Sequence, residues 1–144
     1  LENEDFSNGA EGWSGATTGC GSLGTILGGY GAFGSGSSTS KNFEVLFPHT
    51  EYSLTFDFIR IDSWDNESAY AYIDGVEIWN KVGHGPNGSQ QCGQGHSGWN
   101  EEKWSIVAAG SHTDSSLTLS FSSNLNEGAT NESWGIDNVV LKVK

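Results

Sequence analysis

Two stretches of the chain place carboxylates and amides beside a tryptophan. Asp62 to Ser68 reads DSWDNES, and Asn131 to Asn138 reads NESWGIDN. Asp62, Asp65 and Glu67 in the first, with Asn131 and Glu132 in the second, are hard oxygen donors of the kind calcium takes in sets of about six to eight. A second set lies at the two ends of the chain: Asn3, Glu4 and Asp5 in ENEDF, and Asp137 and Asn138 in IDNV. A cation there would pin the termini together. Neither set has the continuous loop and central glycine of an EF-hand. The competing reading of both is a solvated acidic surface, with Asp137 and Asn138 bonding to a turn in the backbone.

The elements that must position these residues are strands. YSLTFDF alternates Tyr52, Leu54, Phe56 and Phe58 against Ser53, Thr55 and Asp57, and the apolar phase then shifts to Ile59 and Ile61. Such a shift predicts a bulge at Phe58–Ile59. SLTLSF alternates Leu117, Leu119 and Phe121. Further strands are expected near 43–47, 69–73, 76–82, 104–108 and 134–143, with irregular stretches over 19–36 and 83–98. Regularly spaced strands without helices predict one domain over residues 1–144, an all-β antiparallel two-sheet β-sandwich of jelly-roll type. If the strand ending at Asp62 lies beside the last strand, the two Trp-flanked acidic loops meet.

Asp74-Gly75 suits a two-residue type I′ hairpin, whose central residues both need positive φ. An unbroken register from that turn pairs Tyr72 with Glu77 and Tyr70 with Trp79, placing Tyr70, Tyr72, Glu77 and Trp79 on one face. Aromatic rings beside a carboxylate form a surface on which a sugar ring can stack while its hydroxyls are hydrogen-bonded. The alternative is that these rings pack under the Gly-rich loop or in a second layer. Trp99 and Trp104, around WNEEKW, form a second candidate stacking surface.

Composition limits the partners. With 6 basic against 18 acidic residues, the net charge is -12, a field that repels phosphate and anionic lipid. Nucleic acid is not an expected partner, and without a long apolar run neither is membrane insertion. Cys20 and Cys92 are the only cysteines, too far apart for a C-x-x-C motif and expected to form a disulfide rather than two buried thiols. The Gly-, Ser-, Thr- and Asn-rich composition and the sequons at Asn66, Asn87 and Asn131 suggest an extracellular glycoprotein. The chain has no methionine, which fits a unit of a larger secreted or surface protein.

Signatures of catalysis are weak. GCGSLG and GYGAFG match a dinucleotide fingerprint but open no helix, no G-x-S-x-G elbow occurs, and His49, His84, His96 and His112 are scattered. A non-enzyme is expected.

DFSNGAEGW and SWGIDNVVL resemble the first and last strands of galactose-binding-like jelly rolls, a superfamily that includes many carbohydrate-binding modules and, more distantly, adhesion domains. The stretch from Phe43 to Trp79 is similar to a repeated module of secreted or surface proteins in ciliated protists and some bacteria. The resemblance implies a non-catalytic extracellular module, often calcium-bound, that binds a glycan or glycoprotein in a lectin-like manner. The alternative is a structural or adhesive subunit of an extracellular assembly, contacting copies of itself or other extracellular proteins. Asp62, Asp65, Glu67, Glu132 and Asp137 are the positions it supports for the metal.

Overall fold

The computed structural model describes residues 1–144. Ten strands follow in order: β1 (Glu2–Glu4), β2 (Thr17–Gly19), β3 (Thr25–Gly28), β4 (Ser38–Glu44), β5 (Glu51–Asp62), β6 (Asp65–Ile73), β7 (Val76–His84), β8 (Glu101–Ser111), β9 (Ser116–Ser123) and β10 (Glu132–Val143). The larger antiparallel sheet runs β2-β3-β10-β5-β8, with β1 also on β10, and the smaller runs β4-β9-β6-β7. The architecture is the expected two-sheet sandwich.

Between the sheets lies an aromatic core centred on Phe58. Its ring is 5.2 Å from Trp134 and 5.8 Å from Trp104 in near-parallel planes, and 5.6 and 6.1 Å from Trp79 and Trp64. Contacts of this kind add about 0.5–1.5 kcal/mol each beyond burial. Trp64 and Trp134 thus fill the core.

The phase shift in β5 has a different cause from the one expected. β5 pairs with β8 without interruption from Glu51↔Ser111 to Ile61↔Glu101, so no bulge lies at Phe58–Ile59. Residues of both parities are apolar because both faces are covered. Phe56 and Phe58 face the sandwich core, while Ile59 and Ile61 pack with Ile26 and Cys20 beneath the Gly-rich segment. The bulge is in β10, between Asp137 and Val140, where Asn138 has φ 49°.

The Gly-rich stretch expected to be irregular contains β3, which pairs with Gly135 and Ile136 of β10. The segment expected to be a strand over 43–47 ends instead at Glu44, leaving Leu46 and Phe47 exposed in the next loop. Arg60, fully buried, closes one end of the core by donating to the carbonyls of Asp62, Asn87 and Asn100.

Cys20 and Cys92 form the expected disulfide across a sequence separation of 72. It joins the segment before β3 to the β7–β8 loop over the outer face of β5. Closing a loop of that length contributes about 4 kcal/mol in the chain-entropy account. The Cys20→Ser, Cys92→Ser double variant is expected to unfold about 10 °C lower in a thermal scan. An unchanged midpoint would mean that this cover is held by its other contacts alone.

Candidate functional site

The two Trp-flanked stretches are neighbours, with Glu132 opposite Asp62 across the β10–β5 pair. Their carboxylates nevertheless do not converge. Asp62, with φ 67°, accepts the Gln94 N–H on both oxygens at 3.1 and 3.0 Å. Beside it the buried Glu101, which the sequence reading missed, accepts the N–H groups of Gln91, Cys92 and Gly93 at 2.8, 2.8 and 2.9 Å. Four successive backbone donors therefore cover an Asp62–Glu101 carboxyl pair. A Cβ at Gly93 would strike both acids, so glycine is required there. Burial first, and then the neighbouring Glu101, push Asp62 up to about 6.

Glu132 is fully buried, and its Oε1 accepts from Asn126 and Glu127 N–H at 3.0 and 2.9 Å. Burial, helped by Glu67 and Glu127 and opposed by those N–H bonds, raises it to about 7. Glu67 itself accepts the Asp65 N–H, and Asn131 meets Ser63 through its carbonyl oxygen. The five expected ligands thus fall into separate hydrogen-bonded sets. No group of three or more His, Cys, Asp or Glu side chains is arranged to hold a metal ion as the side chains stand. Asp62 and Glu132 are buried among backbone N–H donors, a poor setting for a cation, whereas Asp65 and Asn131 stay exposed at the surface.

The chain ends do meet, as expected. Asn3 lies opposite Val140 and Glu4 opposite Val139. Glu4 and Asp5 accept from the backbone of Phe6 and Ser7, and Asn3 is exposed. Asp137 lies opposite Asp57, whose oxygens take Ser105 Oγ at 2.7 Å and Asn138 Nδ2 at 2.8 Å. Burial, then repulsion from Asp57 and Asp5, push Asp137 up to about 6, with the Asn138 N–H bond and, less, Lys103 partly offsetting. Asp57 was read only as a solvent-side residue of its strand. Pairing β5 with β10 in register was the signal that would have found it.

The aromatic candidates separate by face. Tyr70 and Tyr72 stand half-buried on the outer face of the smaller sheet, 6.2 Å apart with ring planes 32° from each other. Glu77 is opposite Tyr72 and Asn80 opposite Tyr70, and Asn80 Nδ2 donates to Glu77 Oε2 at 2.9 Å. On the other flank lie Ser120 and Ser122 of β9. Trp79 is not part of this surface. A register shift between Ala71 and Tyr72 places Trp79 opposite Ala71, and its ring packs on Phe56 and Phe58 in the core. Trp104 is likewise a core residue at 7% exposure. Trp99 remains at the surface, stacked on His96 at 4.5 Å, and borders a cleft of about 420 Å³ with Ser63, Asp65 and Pro86. Asn66, Asn87 and Asn131 are all exposed.

The raised carboxyls fix a pH dependence. Asp62, Glu132 and Asp137 hold protons in the folded state that the unfolded chain has released. Their stabilising effect is full below about pH 4 and is lost as pH rises through about 6 to 7. The unfolding midpoint is expected to fall between about pH 5 and about pH 8. Glu132→Gln is expected to raise the midpoint at the alkaline end and flatten the curve, and a midpoint that climbs with pH would contradict this account.

No protein-family model matches the chain, and no curated protein matches it in sequence. Solved structures do match. Dimeric latent PorU from Porphyromonas gingivalis is similar at TM-score 0.56 and 11% identity over 78% of this chain. This chain spans only 11% of the PorU chain. The C-terminal CBM6 module of LamC, a marine laminarinase from Zobellia galactanivorans, is similar at TM-score 0.54 and 13% identity, over 99% of this chain and 98% of that one. The C-terminal domain of EclA, a sugar-binding protein, is similar at TM-score 0.51 and 17% identity over 80% and 71% of the two chains. At such identities the likeness is one of fold: the chain is a jelly roll of the kind also found in carbohydrate-binding modules.

Proposed function

We propose that this protein is a non-catalytic, extracellular glycan-binding module. The observation that carries the reading is the outward Tyr70–Tyr72 pair, bordered by Glu77 and Asn80, which are already hydrogen-bonded to each other. Two adjoining rings offer apolar faces to the C–H side of sugar residues, and the fixed carboxylate and amide take their hydroxyls. A disulfide fits an oxidising compartment, and a neutral, hydroxyl-bearing ligand suits a protein whose charge repels anions. Descriptions of similar folds as a CBM6 module and a sugar-binding domain point the same way. Tyr70→Ala, Tyr72→Ala is expected to weaken binding on a glycan array and in titration calorimetry by about tenfold or more, with the fold intact. Trp79→Ala should instead lower the unfolding midpoint, because Trp79 is a core residue. Retained affinity in the double tyrosine variant would sink the platform.

A second reading, an adhesive or structural subunit, is favoured by the exposed apolar side chains Leu46 (87%), Val76 (67%) and Phe47 (52%). Concentration-dependent association in sedimentation would move it ahead.

Calcium belongs to the same proposal, at the chain ends rather than at the Trp-flanked loops. Asp57 and Asp5 both repel the Asp137 carboxylate there, against the Asn138 N–H bond and Lys103, and the Asn138 side chain adds an amide. A divalent ion would relieve that repulsion and tie β1 to β10. At fixed ionic strength, calcium is expected to raise the unfolding midpoint by several degrees over excess chelator, and Asp137→Asn to remove the rise. A wild-type midpoint indifferent to calcium would leave these acids as a proton-holding cluster.

A further inference from the structure

At the end of the sandwich away from the disulfide, three connections meet: the loop between β4 and β5, the Asp74-Gly75 turn, and the turn between β8 and β9. His49 and His112 lie between them, each 7% exposed. His49 Nε2 is 2.7 Å from His112 Nδ1. With ring centroids 5.0 Å apart and planes 18° from each other, the imidazoles sit edge to edge. The outer nitrogens are also engaged: His49 Nδ1 is 3.1 Å from the Phe47 carbonyl oxygen, and His112 Nε2 is 2.9 Å from Asp74 Oδ2. Asp74 Oδ1 accepts the Thr118 N–H at 2.7 Å.

Counting protons along this chain gives a definite result. The Phe47 carbonyl only accepts, so His49 carries a proton on Nδ1, and in the neutral ring its Nε2 is a lone pair. That lone pair requires N–H on His112 Nδ1. A neutral His112 would then turn a bare Nε2 toward a carboxylate, acceptor against acceptor. One additional proton completes every contact. Imidazole is the stronger base, so the proton resides on the rings rather than on the carboxyl.

We infer that His49 and His112 together bind one proton beyond their two neutral rings, forming an imidazolium–imidazole pair balanced by Asp74, and that this bound proton fastens the three connections. The remaining groups on this end are few. Asp114 and Tyr52 line the same cleft of about 400 Å³ as Asp74 and His112, while Glu51, Lys142 and Lys144 border Tyr52 on its other side. Release of the proton sets Asp74 against a lone pair and frees the loop that carries Leu46 and Phe47.

Asp74→Asn tests this directly. Asparagine suits the first position of a type I′ turn. Its Oδ1 still accepts from Thr118, and its Nδ2 donates to His112 Nε2, closing the chain with two neutral rings. Above about pH 6.5, where unfolded histidines lose their protons, the wild-type folding constant is expected to fall relative to the variant by up to about tenfold per pH unit, the slope of one proton. Hydrogen exchange over 45–50 and 112–115 should quicken with pH in the wild type beyond its intrinsic rate, and not in the variant. Nitrogen-15 spectra of the wild-type histidines near pH 7.5 should show one imidazolium shared by this pair. Parallel pH curves, or two neutral rings in the wild-type spectrum, would overturn the inference. The wild-type spectrum decides by itself should the variant fail to fold.

Discussion

Much of this structure follows from one constraint: the second half of β5 is buried on both faces. A strand in the larger sheet of a sandwich ordinarily needs only one covered side. From Phe56 to Asp62 every side chain of β5 is inside, and each parity requires its own cover. The aromatic core supplies one. The other is assembled from β3, the segment before it and the β7–β8 loop, and the disulfide locks those pieces together. Polar residues caught in this double burial must then be satisfied locally. Arg60 takes three carbonyls, and Asp62 with Glu101 takes the N–H groups of 91–94.

The same constraint separates the two acidic constellations. At the sheet end, backbone donors were available to wrap the carboxylates, so the acids became part of the cover. At the chain termini the acids face one another across β10 and β5, and the donors that reach them are fewer. Similar residue types therefore carry different chemistry. What distinguishes them is the number of main-chain donors: Asp62, Glu101 and Glu132 accept from six backbone N–H groups, whereas Asp57 takes only side-chain donors and Asp137 the Asn138 N–H alone.

The fold was legible because alternation with period two marks half-buried strands, and because Asp74-Gly75 allows little besides a tight hairpin: both residues do have positive φ, 50° and 79°. Pairing of the chain ends and adjacency of the Trp-flanked loops were legible for the same reason. The phase shift at Phe58–Ile59 was not, since alternation lost to burial on both faces looks identical to alternation displaced by a bulge. Trp79 was misplaced by a single residue. Ile78 is the extra residue of a bulge, and one such slip moves every side chain beyond it to the opposite face. Asp57 stayed hidden because it meets Asp137 only through a strand pairing distant in sequence, and Glu101 because it reaches Asp62 only across the β5–β8 pair.

The position of β10 has a consequence for how the protein is made. The last of these ten strands to be synthesised is the one on which β1, β3 and β5 all pair. Until it emerges, the larger sheet lacks its middle, β2 and β3 have nothing to rest on, and Cys20 has no scaffold bringing it to Cys92. Nearly the whole chain must therefore wait, with its strand edges open, before the sheet can close. Topologies that depend on such distant pairings fold slowly and are exposed to aggregation meanwhile. A dense acidic charge on the waiting chain keeps copies of it apart.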